Sequence, residues 1–505
     1  MFSGFRCFRR ARRAVANIRI FRLVRTRFDG GIGMIRGDDG RSYGFESRIY
    51  GFALIIIGAV ILLWPALLNG FPLIFHDTNS YVRMTPELPR SYFYKLFVYL
   101  TGFRASIWTT AVAQSLIAST AIWCFLRLMG LAGRRYFLAT IAILAVGSSL
   151  PIYTSFIMPD LFTGLMFMLL FALLFLSDNM SPVLRALAFV MLVLAMATHS
   201  SHLVLALAIT LLGAMWQLLQ APKPKPLGAL LALVAIVTVA LCFYIYHGRV
   251  HHRYALSPTG STFLMANLLE YGPAREELIE RCPQIAPKLC AYRTQLRPMA
   301  DNILWDADSP FNTKLGGFDG VASEARQVDF GTITDHPGLV FQISVRNSAS
   351  ALIAADPTAD IERMDRSVQL LRHMFQKIYG GRTVRSFDAS VQEHNAFPGQ
   401  LVRILNGSTL ALLMAVIVVV LAKGARSSSL SGGFVGFSLL AYVMNAVLCA
   451  TVSGVHDRYQ ARLSWVVVLA LLLLLFDLLR HASRGRQQTG RLIWRCRVGG
   501  LHTRR

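Results

Sequence analysis

Charge is what this chain has least of. Only 15% of its 505 residues are Asp, Glu, Lys or Arg, against 54% hydrophobic, and its mean hydropathy is +0.49. That balance excludes a soluble domain of ordinary composition and implies an integral membrane protein. Acids are scarcest, 27 against 51 basic residues, for a formal net charge of +24. So basic a chain could suggest nucleic acid, but its arginines crowd at the two ends and between apolar runs, where positive charge sets orientation. No nucleic-acid partner is read from it. The seven cysteines contain no CxxC pair, which removes the zinc and dithiol-redox signatures. No internal repeat of fixed period is visible, which weakens a transporter built from inverted halves. Ionisable residues within apolar runs are almost absent; Asp477 lies near one end of its run.

Apolar runs of about 17 to 25 residues, enough to span a bilayer, occur near 50–70, 105–128, 136–153, 160–177, 184–200, 203–220, 227–247, 401–422, 432–453 and 461–480. The expected fold is an all-α membrane protein of about ten transmembrane helices, with one large extracytoplasmic domain between helices 7 and 8. Residues 1–48 read as a basic cytoplasmic extension, although an Arg-rich start also fits a transit peptide or a true start at Met34. Residues 49–247 hold helices 1–7, 248–400 the soluble domain, 401–481 helices 8–10, and 482–505 a basic tail. With the start inside, Arg127, Arg134, Arg135, Arg185, Lys223, Lys225, Lys423 and Arg426 all fall on the cytoplasmic side with both termini, as expected of a multi-pass inner-membrane protein. Parity sends 71–104, 153–160, 198–202, 248–400 and 453–462 outward. An outward loop places Cys282 and Cys290 where a disulfide can form.

Most residues capable of chemistry lie in these outward connections. Within His76-Asp77-Thr78-Asn79-Ser80-Tyr81, a helical turn would put Asp77 and Tyr81 on one face, a carboxylate beside an aromatic ring. Asp77 could equally cap that turn, and Asp160 could cap the span it precedes. Arg458 and Arg462 stand against the positive-inside trend, which favours an anionic partner; a pair with Asp457 or lipid headgroups is the alternative. His199 and His202 put two imidazoles at the same face. Asp77 and Asp160 are the carboxylates a divalent metal would use, though the histidine spacing is a weak metal signal. The acids Asp306, Asp308, Asp356, Asp360, Glu362 and Asp365 read as solvated faces or turns.

The Asp and aromatic after the first span, the turn Pro151-Ile152-Tyr153-Thr154-Ser155-Phe156-Ile157-Met158-Pro159-Asp160, and His456-Asp457-Arg458-Tyr459 before the last span together resemble the polytopic GT-C glycosyltransferases. The resemblance covers topology and short motifs but not residues 248–400. Arg90-Ser91-Tyr92-Phe93-Tyr94 departs from the Pro-rich stretch common in that class. The resemblance implies transfer of a sugar from a polyprenyl-phosphate-linked donor to a glycan, lipid or protein acceptor at the outer face of the membrane. Asp77 would be the base, Tyr81 and Asp160 positioning groups, and His199, His202, Arg458 and Arg462 phosphate ligands. An envelope-glycan ligase or polymerase, with essential groups near Arg346, His373 or His394, is the enzymatic alternative; a transporter or assembly scaffold is the non-enzymatic one.

Overall fold

The computed structural model describes residues 45–102, 105–220, 226–364, 368–424 and 427–499. The basic start and Asp365 lie outside them. The described chain is helical throughout, its only extended pairing an isolated bridge between Leu73 and Phe156.

Each of the ten apolar runs is helical, and among the described residues seven helices are long and apolar enough to cross a membrane: Trp108–Leu128, Leu161–Asn179, Ser201–Leu219, Pro226–His251, Gly399–Ala422, Leu430–Val452 and Asp457–Ala482. The other three are cut short by identifiable breakers. The first run ends at Leu62 and resumes as Trp64–Asn69, with Pro65 in its first turn and Gly70 closing it at φ 72°. The third splits into Arg134–Gly147 and Leu150–Ser155, the second piece carrying Pro151 in its first turn. The fifth, Pro182–Ala197, starts where the Ser181 hydroxyl accepts from the Leu184 N–H, and stops ahead of the polar turn at 198–200.

Leu161–Leu176 is the central helix, enclosed by Pro182–Ala197, Ser201–Gln220, Pro226–His251 and the last helix, Asp457–Gly499. Two glycines permit close approaches to this helix. A Cβ on Gly164 would overlap the Trp465 indole at 2.5 Å, and one on Gly228 would lie 2.0 Å from the Leu173 carbonyl oxygen. The Gly164 contact sets the start of the central helix, next to Asp160, beside the beginning of the last helix.

The segments of residues 248–400 pack in three places. Helices between Gly260 and Asp335 enclose a core of their own, built on Met265, Leu269, Ile303, Phe311 and Val328. Pro337–Ile353 instead lies along the span Ser429–Val452. Met364, Leu371, Phe375 and Phe387 then join the main core, where Phe375 and Phe387 both pack against Phe71. Cys282 and Cys290 are joined by a disulfide, Cα atoms 5.7 Å apart.

Candidate functional site

The chain leading into Asp77 is held on both sides. Leu73 exchanges backbone hydrogen bonds with Ser155 and Ile157 at 2.9 and 3.1 Å. Opposite, the Gln392 amide imitates a strand: its Oε1 accepts from the Ile74 N–H at 3.1 Å and its Nε2 donates to the Ile74 carbonyl at 2.6 Å. Asn69 in turn accepts from the Gln392 N–H at 2.7 Å. Buried backbone groups that find partners this way fix the segment without a sheet. The turn at 151–157 and residues near 392 thus aim the following residues.

Asp77 occupies the N-cap position of the short helix Thr78–Val82, yet its side chain makes no cap bond. Its Oδ1 accepts instead from Arg90 Nη2, and its Oδ2 lies 3.8 Å from Arg458 Nη1. Arg458 reaches in the other direction to Asp360, 3.8 Å from its Nε, and rests on the Phe75 ring at 4.3 Å. These contacts are long for ion pairs, and Arg458 Nε and Nη1 are buried with no hydrogen-bond acceptor. Asp457, the sequence-level alternative partner, turns away and accepts from the Asp356 N–H at 2.9 Å.

Asp160 repeats the pattern. It stands at the N-cap of Leu161–Leu176 without capping it and pairs with Arg462 at 3.4 Å, both side chains almost fully buried. Arg462 Nη2 also donates to Asn445 Oδ1 at 3.2 Å. Tyr81, buried between the two pairs, crosses Tyr94 edge to face at 4.8 Å. Burial pushes its hydroxyl above the ordinary range, against the opposing pull of Arg90, and the charges of Asp77, Asp160 and Arg458 all reach it. Asp77, Arg458, Asp160, Arg462 and Tyr81 therefore share one neighbourhood.

The two histidines differ. His202 is fully buried, with Nε2 2.8 Å from the Thr163 hydroxyl and Nδ1 2.8 Å from the Ala195 carbonyl, so both ring nitrogens are engaged inside the bundle. His199 accepts at Nδ1 from the Ser201 N–H at 3.2 Å, which leaves its ring proton on Nε2. Burial, with Arg462, Arg90 and Arg458 nearby, lowers its pKa to about 3, so it is a neutral donor at physiological pH. His199, Arg90 and Ser91 line a small cleft with His247 and Ser257-Pro258-Thr259.

Arg90, Asp360, Asn445 and Gln392 belong to this constellation without having been singled out from sequence. Arg90 carries the signal that marked Arg458, a cation in a connection expected outside. Asn445, a lone amide in an apolar run, was detectable as a polar group needing a partner. Asp360 was read as solvated; it pairs with Arg458, and burial raises its carboxyl above the usual range. Asp356 is likewise engaged, binding Arg403 at 3.3 Å and the Thr358 hydroxyl at 2.7 Å. Among the described residues, no group of three or more His, Cys, Asp or Glu side chains is arranged to hold a metal. Asp77 and Asp160 each face a guanidinium instead. Comparison with protein-family models, curated proteins and solved structures finds no match.

Proposed function

We propose that this chain is a membrane glycosyltransferase that moves a sugar from a polyprenyl-phosphate-linked donor to a glycan, lipid or protein acceptor. The observation that carries this reading is Arg458: a guanidinium with two buried N–H groups lacking acceptors, between carboxylates 3.8 Å away on either side. A phosphate offers more acceptor oxygens than either carboxylate and would satisfy donors that the resting pairs leave unmet. The loop motifs resembling the GT-C class supply the substrate type.

In this mechanism the donor phosphate binds Arg458 and draws it from Asp77. The acceptor hydroxyl oxygen attacks the anomeric carbon, the bond from that carbon to the phosphate oxygen breaks, and polyprenyl phosphate leaves with the electron pair. The Asp77 carboxylate takes the acceptor's proton. Arg90 keeps Asp77 oriented, while His199 offers a neutral N–H beside the cleft. His202 and Arg462, enclosed and already partnered, serve as supports, Arg462 by holding Asp160.

The test is transfer by the full-length protein in vesicles supplied with polyprenyl-phosphate-linked sugars. Asp77→Asn keeps the shape and removes the base, so turnover should fall about 10²- to 10⁴-fold with insertion and expression unchanged. Undiminished transfer by that variant removes Asp77 as the base.

A further inference from the structure

The helix Pro337–Ile353 sits in a stretch that reads from sequence as part of a soluble domain, yet its packing is that of a membrane helix. One face lies against the span Ser429–Val452: Ala351 clusters with Ala446 and Ala450, and the Tyr442 hydroxyl donates to the Leu352 carbonyl at 3.1 Å. Tyr442 lies ten residues before the end of that span, about 15 Å along a helix axis. At the other end of the contact, Arg346 rests over the Tyr271 ring at 5.4 Å, and Asn267 of the same helix as Tyr271 bonds the Ala450 and Thr451 carbonyls. The helix therefore runs antiparallel to the span, from its mouth down to the level of Tyr442. The chain then returns through Asp356, whose N–H donates to Asp457 at the start of the last helix.

The opposite face is uncovered. Phe341, Val345 and Ile353 are exposed, at 72%, 53% and 86%, and with Ala349 they form one row at four-residue spacing. Exposed Leu439, Leu440, Val443 and Val447 of the adjoining span continue an apolar exterior beside it. From Pro337 to Ala355 the one charged residue is Arg346, near the shallow end. The Ser348 hydroxyl is satisfied within the helix, donating to the Ser344 carbonyl at 2.6 Å, as a hydroxyl in hydrocarbon must be. A rise of 1.5 Å per residue puts Phe341 about 16 Å above Leu352, level with the mouth of the span.

We infer that Pro337–Ile353 dips into the bilayer on the side of the 260–335 unit, and that the acyl chains of that leaflet cover the Phe341–Val345–Ile353 face. The inference rests on the helix's packing against a span and is independent of the transfer reaction. Its consequence is that the segment bringing Asp360 to Arg458 emerges directly from the lipid.

The test places the photo-crosslinking residue p-benzoylphenylalanine at Val345, at Ile353, and, as a control, at the 76%-exposed side chain of Asp308. Full-length protein is illuminated in vesicles of phosphatidylethanolamine and phosphatidylglycerol, then analysed by mass spectrometry. All three positions are exposed, so replacement leaves the core intact. Phospholipid adducts are expected at Val345 and Ile353 and not at Asp308. Adducts joining two copies of the chain at Val345 or Ile353, or no phospholipid at either position, would overturn the inference.

Discussion

Removing one member of the Asp160 and Arg462 pair leaves the other's charge buried with nothing to balance it. That loss typically costs about 3–5 kcal/mol, far more than a surface pair contributes. Arg462→Ala should therefore lower the thermal unfolding temperature of the detergent-solubilised protein sharply. Asp160→Asn combined with Arg462→Gln should recover part of the loss, because no net charge then remains buried. Equal destabilisation in the double variant would mean that packing, not charge, is what the pair supplies. Asp329, in the helix Gly317–Asp335, is a different case. It is buried, neither carboxylate oxygen has a hydrogen-bond partner, and burial raises its pKa to about 8. The unfolded chain releases that proton near pH 4 and the folded chain near 8, so the native state holds more protons in between. Stability is then fully present below about pH 4 and falls as pH rises to about 8, by a few kcal/mol as an order of magnitude. Asp329→Asn should flatten this part of the stability profile and stabilise the protein most at the alkaline end, as thermal unfolding across that range would report. An unchanged profile would show that Asp329 is not the group responsible.

Helices were the part most readily legible in the sequence, because a run of about 20 apolar residues permits few other structures in a bilayer. Their boundaries were less so: the expected runs 50–70 and 136–153 continue through breaks that the structure places just before Pro65 and Pro151, and the fifth helix starts at its Ser181 cap, ahead of residue 184. Pro337–Ile353 was not legible as a membrane-associated helix. It has Gln342, Arg346 and Asn347 among its apolar residues, and only its packing on Ser429–Val452 distinguishes it from a soluble helix. How closely helices approach is equally invisible in a composition. At Gly228 a side chain would meet backbone, which cannot rotate aside, so Gly228→Ala must part Pro226–His251 from the central helix. The cost should be about 1–3 kcal/mol, read as a lower unfolding temperature than that of Gly213→Ala, where the nearest atom is a movable Leu174 methyl at 2.9 Å.

Across the whole molecule, the legible part of the site was the set of polar groups that a membrane chain does not carry without partners: Asp77, Asp160, Arg458 and Arg462. What joins them was not, because the deciding contacts cross about 300 residues, from Asp160 to Arg462 and from Ile74 to Gln392. Local spacing left caps an equal alternative at Asp77 and Asp160, and only tertiary packing turned both side chains to arginine. The orientation of this assembly has its own test in the Cys282–Cys290 disulfide, which lies in the helical unit sharing the Asp77 end of the bundle, Trp305 of that unit stacking on Arg90 at 4.8 Å. If that end faces an oxidising compartment, as the arginine distribution implies, a membrane-impermeant reductant should reach the disulfide in intact cells. An impermeant maleimide should then add two labels that the untreated cells lack and that Cys282→Ser/Cys290→Ser abolishes. The other five cysteines, Cys7, Cys124, Cys242, Cys449 and Cys496, supply only a background common to both samples. Labelling that requires permeabilised cells would put this end in the cytoplasm, reverse every span, and with them the face on which Asp77 could meet a lipid-linked donor.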